Sequence, residues 1–98
     1  MAAHTSASRL ASEATHVFTA TALAREVLTR TEVEGLPVFD KDSGDFGESF
    51  PAYRWEREVS EVPSLPLDDL RQVRLRVLWP EGRATRSTEI VFYFLKKT

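Results

Sequence analysis

Residues 40–48, Asp-Lys-Asp-Ser-Gly-Asp-Phe-Gly-Glu, place four carboxylates within nine positions. Calcium takes about six to eight oxygen ligands, and carboxylates at alternating loop positions are the usual way to supply them. Asp40, Asp42 and Asp45 begin such a pattern. The register then fails. Gly44 stands at the fifth place, where a ligand belongs. Asp45 stands where the sharp-turn glycine belongs, and Pro51 fills the twelfth place. The spacing favours a solvated acidic turn, with Asp40, Asp42 and Asp45 kept as weak metal candidates.

Other reactive side chains are isolated. His4 and His16 lie twelve residues apart on one helix-like stretch. That separation is about 120° in azimuth and ~18 Å along the axis, so they cannot share a metal. Both are expected to be exposed. Serines are plentiful, but none stands in a nucleophile elbow with a histidine placed to activate it. Glu56, Glu58 and Glu61 could be imagined as acid–base groups, yet on an alternating strand they fit arginine partners or water better. Trp55 and Trp79 could make an aromatic platform for a ligand. Both fall on the apolar sides of strands, so core packing is the stronger reading. No phosphate-cradling glycine loop occurs. Catalysis therefore has no positive support, and no cofactor is expected.

The whole chain sets matching bounds. Its 98 residues suffice for one domain with one core, and 42% hydrophobic with 29% charged residues is ordinary for a folded protein. A net charge of −2 leaves no electrostatic case for a nucleic-acid partner. Cysteine is absent, which excludes disulfides and thiolate metal sites without identifying a compartment. No stretch is apolar and long enough to span a bilayer, and no signal peptide is visible.

The elements that must position these residues are legible from periodicity. Residues 5 to about 33 read as a helix. Leu10, Ala14, Val17, Thr21, Ala24 and Leu28 fall within roughly 40° of one line, with Phe18 and Val27 widening the stripe in the second half. Arg9–Glu13 and Glu26–Arg30 are i,i+4 charge pairs. Gly35 can close the helix, and Pro37 prevents its resumption. A helix of about 30 residues is ~45 Å long, more than the breadth of a domain this size, so part of it should project. The half from Val17 to Leu28 carries the bulk for packing, whereas the first half is mostly Ala, Ser and Thr.

Residues 36–51 read as an irregular connection or short ribbon. Three strand-like runs follow. In the first, Tyr53, Trp55 and Val59 share one face, while Arg54, Glu56 and Glu58 share the other. In the second, Val73, Leu75, Val77 and Trp79 lie opposite Arg74 and Arg76. Pro80–Arg83 forms a tight turn. The third is apolar on both faces, with Ile90, Phe92 and Phe94 against Val91, Tyr93 and Leu95. Connections too short for crossovers dictate an antiparallel meander over residues 52–96, with Glu56 and Glu58 able to oppose Arg74 and Arg76. The expectation is a single α+β domain spanning 1–98, with a long N-terminal helix packed on a small antiparallel sheet.

This order of features is familiar. A helix rich in small residues leads to "LAREVLTRTEVEG", then a variable stretch, then "FPAYRWEREVSEVP", "LRQVRLRVLWPEG" and a last apolar strand. Over nearly the whole chain it resembles the minor pseudopilins of type II secretion systems, most closely the I-type subunit. Tyr53 with Trp55, and Val73 to Trp79, correspond to that family's aromatic-x-Trp strand and its V-x-V-x-W strand. Such proteins begin with a basic leader, a processing site and about 20 very hydrophobic residues, none of which is present here. The resemblance therefore implies a segment cut within the helix, with Met1 and Ala2 introduced by cloning, and membrane contact only through the missing part. It implies the periplasmic domain of an inner-membrane-anchored protein. Its partners would be J-type and K-type minor pseudopilins and the major pseudopilin, and its task to start pseudopilus assembly and export folded proteins. Small side chains let helices approach closely, so Ala7, Leu10, Ala11, Ala14 and Val17 are candidate contact residues. The outer face of the last strand, at Val91, Tyr93 and Leu95, is a second candidate surface. A minor pilin of a type IV pilus or competence system would use the same architecture. A small calcium- or ligand-binding module, built on the 40–48 loop and the tryptophans, is the rival of another class.

Overall fold

A computed structural model describes residues 2–37, 40–62 and 70–95, with the side chains of the helix from Ala14 onward. Helix α1 runs Ala2–Glu34 and is followed by β1 at Lys41–Asp45, a single 3₁₀ turn at Gly47–Ser49, β2 at Arg54–Glu61, β3 at Leu70–Glu81 and β4 at Ala84–Leu95. The strands form one antiparallel sheet in the order β1-β2-β3-β4, with α1 on one face. The α+β architecture expected from periodicity is the architecture found.

Local chemistry explains the ends of the elements. α1 closes on Gly35, whose φ of 91° suits a residue without Cβ, and its N–H donates to the Thr31 carbonyl at 2.8 Å. That single bond from the residue past the cap to a carbonyl four back satisfies one of the last orphan acceptors. β3 and β4 join through a two-residue hairpin, Gly82–Arg83, with Glu81 opposite Ala84. Gly82 has φ 61°, the sign that the first central position of a type II′ turn demands. The tight turn is thus centred one residue later than the Pro80–Arg83 stretch suggests, because Pro80 and Glu81 remain in β3.

Of the two alternatives for residues 36–51, irregular connection or short ribbon, residues 41–45 take the second and add a fourth strand. β1 pairs with β2 from Lys41–Glu58 to Asp45–Arg54. It lacks the β-branched and aromatic residues that mark strands. Gly44 accounts for its position. A Cβ there would lie 2.7–2.8 Å from the Trp55 indole, so only glycine lets the backbone settle on that ring.

The core lies between α1 and the sheet. Ala20, Leu23, Ala24 and Val27 pack with Tyr53, Trp55, Leu75, Val77 and Trp79, and Phe46, Ile90 and Phe92 close its margins. Tyr53, Trp55, Val73, Leu75, Val77 and Trp79 are all buried, as alternation requires. The helix differs from expectation. Its buried line is Ala20, Leu23, Ala24, Val27 and Thr31, turned about 80° from the line through Leu10 and Leu28. Val17 is 47% and Phe18 79% exposed, so neither belongs to the core. The cause is local. The expected line was steered by residues of the projecting half, while Leu23 and Val27 supply the bulk where the sheet lies beneath.

Candidate interaction surfaces

Two polar clamps fix α1 to the sheet. The upper one is His16. Its Nδ1 lies 2.7 Å from the Tyr53 hydroxyl, and its ring stacks on Trp79 with centroids 6.2 Å apart. His16 is half-buried, a correction to the expectation of an exposed histidine. The reason is azimuthal: it stands one turn before Ala20, on the same line. The side chain of His4 lies outside the described residues.

The lower clamp is Arg57. Its Nε donates to Asp42 Oδ1 at 2.9 Å, and Nη2 donates to Asp42 Oδ2. Nη1 donates to the buried Thr31 hydroxyl at 2.7 Å. Thr31 in turn donates to the Val27 carbonyl at 2.8 Å. The guanidinium carbon sits 5.0 Å from the Trp55 ring centroid. One side chain therefore ties β2 to β1 and to the last turns of the helix. A bidentate guanidinium–carboxylate pair is a strong hydrogen-bond arrangement, and the stacked ring adds cation–π attraction.

That clamp engages one of the three weak metal candidates. Alternation turns Asp42 toward the helix side, where both its oxygens are engaged by Arg57. Asp45 accepts the N–H of Gly47 at 3.1 Å. Asp40 is exposed, and its backbone carbonyl receives Val59 N–H. No group of three or more potential ligands converges among the described residues. Trp55 and Trp79 are 7% and 3% exposed, so neither offers an open ring face to a ligand.

What remains on the outside is two surfaces. The first is the side of α1 turned away from the sheet. Phe18 lies there, nearly opposite the buried line, with the exposed Ala14 and Val17 on the flank between. Ala7, Leu10 and Ala11 are in the helix, but their side chains lie outside the described residues. Phe18 was not read as a contact residue from sequence. The signal existed: Ala14, Thr21, Ala22 and Arg25 surround it at helical spacing, so it has no bulky apolar neighbours to share a core stripe.

The second surface is the outer face of the sheet. Val91, Tyr93 and Leu95 are 45%, 58% and 61% exposed. They stand beside Arg74, Gln72 and Leu70 respectively. Farther along the same face lie two charged rows, Lys41–Glu58–Arg74 and Ser43–Glu56–Arg76–Glu89. The expected opposition of Glu56 and Glu58 to Arg76 and Arg74 is present in the register. The arginines nevertheless form their ion pairs with Glu89, Arg74 at 2.9 Å and Arg76 at 3.8 Å. A shallow groove of about 410 Å³ runs over these rows.

Compared with family models, curated proteins and solved structures, this chain matches none. The functional reading therefore rests on the geometry and on the residue pattern. Among the described residues no helix is long and apolar enough to cross a membrane.

Proposed function

We propose that this chain is a structural subunit of a pilus-like tip, a minor pseudopilin of the I type. It would bind J-type and K-type minor pseudopilins and the major pseudopilin in the periplasm, starting assembly of the fibre that exports folded proteins. The mechanism is association through buried surface, with no bond-making. The observation that carries the reading is a helix that outreaches its own globule. α1 has 33 residues, about 50 Å of helix, and among its described side chains, from Ala14 onward, the first buried one is Ala20. The molecule measures 60 × 31 × 21 Å, with a radius of gyration of 16.5 Å against about 13 Å for a compact chain of this length. An unsupported helix of small side chains is marginal in water, and neighbouring helices are the natural support.

The test is co-purification with candidate J-type and K-type subunits. Leu10→Arg and Ala14→Arg are expected to abolish capture while leaving the melting temperature of the isolated chain unchanged. Normal capture by both variants would remove the helix face from the proposal. Capture by type IV pilus subunits instead would move the chain to that system.

A further inference from the structure

The two edges of the sheet are built differently. β1 carries the usual protections against strand addition. It has five residues, an exposed Lys41, a glycine, and an aspartate turned inward onto Arg57. β4 has two charges, Arg86 and Glu89, and lacks the other protections. It has twelve residues without proline or lysine, and its pairing with β3 runs unbroken from Leu70–Leu95 to Glu81–Ala84, so no bulge twists it away. Its far side has no partner strand among the described residues. From Ile90 to Leu95 it is uncharged and apolar on both faces, and Ile90, Phe92 and Phe94 are only half-buried under the helix.

We propose that β4 pairs antiparallel with β4 of a second copy, joining two four-stranded sheets into one. The unpaired N–H and C=O groups of an edge are satisfied by another strand. That strand must be apolar on both faces to match Ile90–Leu95. Among the described strands only β4 has such a run, the six uncharged residues that follow Glu89; charges interrupt β1, β2 and β3 at shorter intervals. The twofold axis lies at Phe92. Ile90 then faces Phe94 of the other copy, and Val91 faces Tyr93, with seven residues of each strand paired. A register centred on Glu89 would oppose two carboxylates, and like charges directly opposite are destabilising. This pairing is independent of the helix face and of the pseudopilin reading.

Sedimentation of the full chain over micromolar to submillimolar concentrations tests it, the 11.1 kDa mass being expected to double. Val91→Lys combined with Tyr93→Lys sets lysine against lysine across the axis. Both residues are exposed, so this variant should stay folded and become monomeric, whereas Phe18→Arg should still dimerise. The chain has no cysteine, which makes single-cysteine variants clean reporters. Val91→Cys and Tyr93→Cys are expected to cross-link when mixed under oxidation, and neither with itself. A chain that stays monomeric at every concentration overturns the proposal. So does a dimer indifferent to the lysines, a dimer lost in Phe18→Arg, or a Val91→Cys variant that cross-links to itself.

Discussion

At the scale of single residues, Gly44 and Arg57 make the least obvious contributions. Gly44 is set by space and not by backbone angle, since its φ is not among the positive ones. Gly44→Ala forces a methyl into the Trp55 ring, and overpacking of this kind costs about 1–3 kcal/mol. Urea denaturation should show a lower midpoint with an unchanged slope. Asp42→Ala leaves the Arg57 guanidinium, 12% exposed at its side chain, without its carboxylate. The expected loss is about 1–3 kcal/mol. Combined with Arg57→Met, the two changes should cost clearly less than their sum, because they remove one shared interaction. Asp42 also bears on metal binding. Calorimetric titration with Ca²⁺ is expected to give no submillimolar binding, and Asp40→Ala and Asp42→Ala should leave the trace unchanged. Binding abolished by those variants would favour the calcium-module reading instead.

At the scale of elements, the helix and the three long strands were legible because their periods are strong. Alternation in β3 alone assigns Val73, Leu75, Val77 and Trp79 to one face, and all four are buried there. β1 was legible only as one of two alternatives, because Lys-Asp-Ser-Gly-Asp has no strand propensity. It is held by pairing with β2, by Gly44 on Trp55 and by Asp42 on Arg57, interactions between residues nine or more apart in sequence. The helix was legible as an element but not in its rotation. A line through Ala and Thr residues is nearly featureless, and Leu10 pulled the expected stripe away from Leu23 and Val27. His16 followed the same error, since a histidine among small residues reads as surface until its azimuth is tied to Ala20. The rotation has a direct test. Leu23→Ala should cost about 2–4 kcal/mol, as a buried leucine does. Phe18→Ser should change stability by less than about 0.5 kcal/mol, as an exposed substitution does. Equal losses at the two positions would contradict the observed packing.

At the scale of the molecule, the stretch that stabilises the domain and the stretch proposed to meet partners are separable along one helix. The two clamps and the apolar line between them occupy His16 to Thr31. The backbone of α1 runs for about 21 Å, the fourteen residues from Ala2 to Thr15, before that stretch. A helix held at one end frays from the other, because each residue added without tertiary packing gains little over the coil. Amide exchange should therefore rise steeply toward the N-terminus, while amides near Val27 exchange only with global unfolding. Deletion of residues 2–13 carries the same argument to function. If that half makes no packed contact, the shortened chain should keep its unfolding free energy within about 0.5 kcal/mol. It should lose capture of the J-type and K-type subunits altogether. If the deletion instead unfolds the domain, the projecting half is structural, and its length no longer argues for a partner. If the domain stays folded and still captures both subunits, recognition runs through the globule, and the outer face at Val91, Tyr93 and Leu95 becomes the surface to alter next.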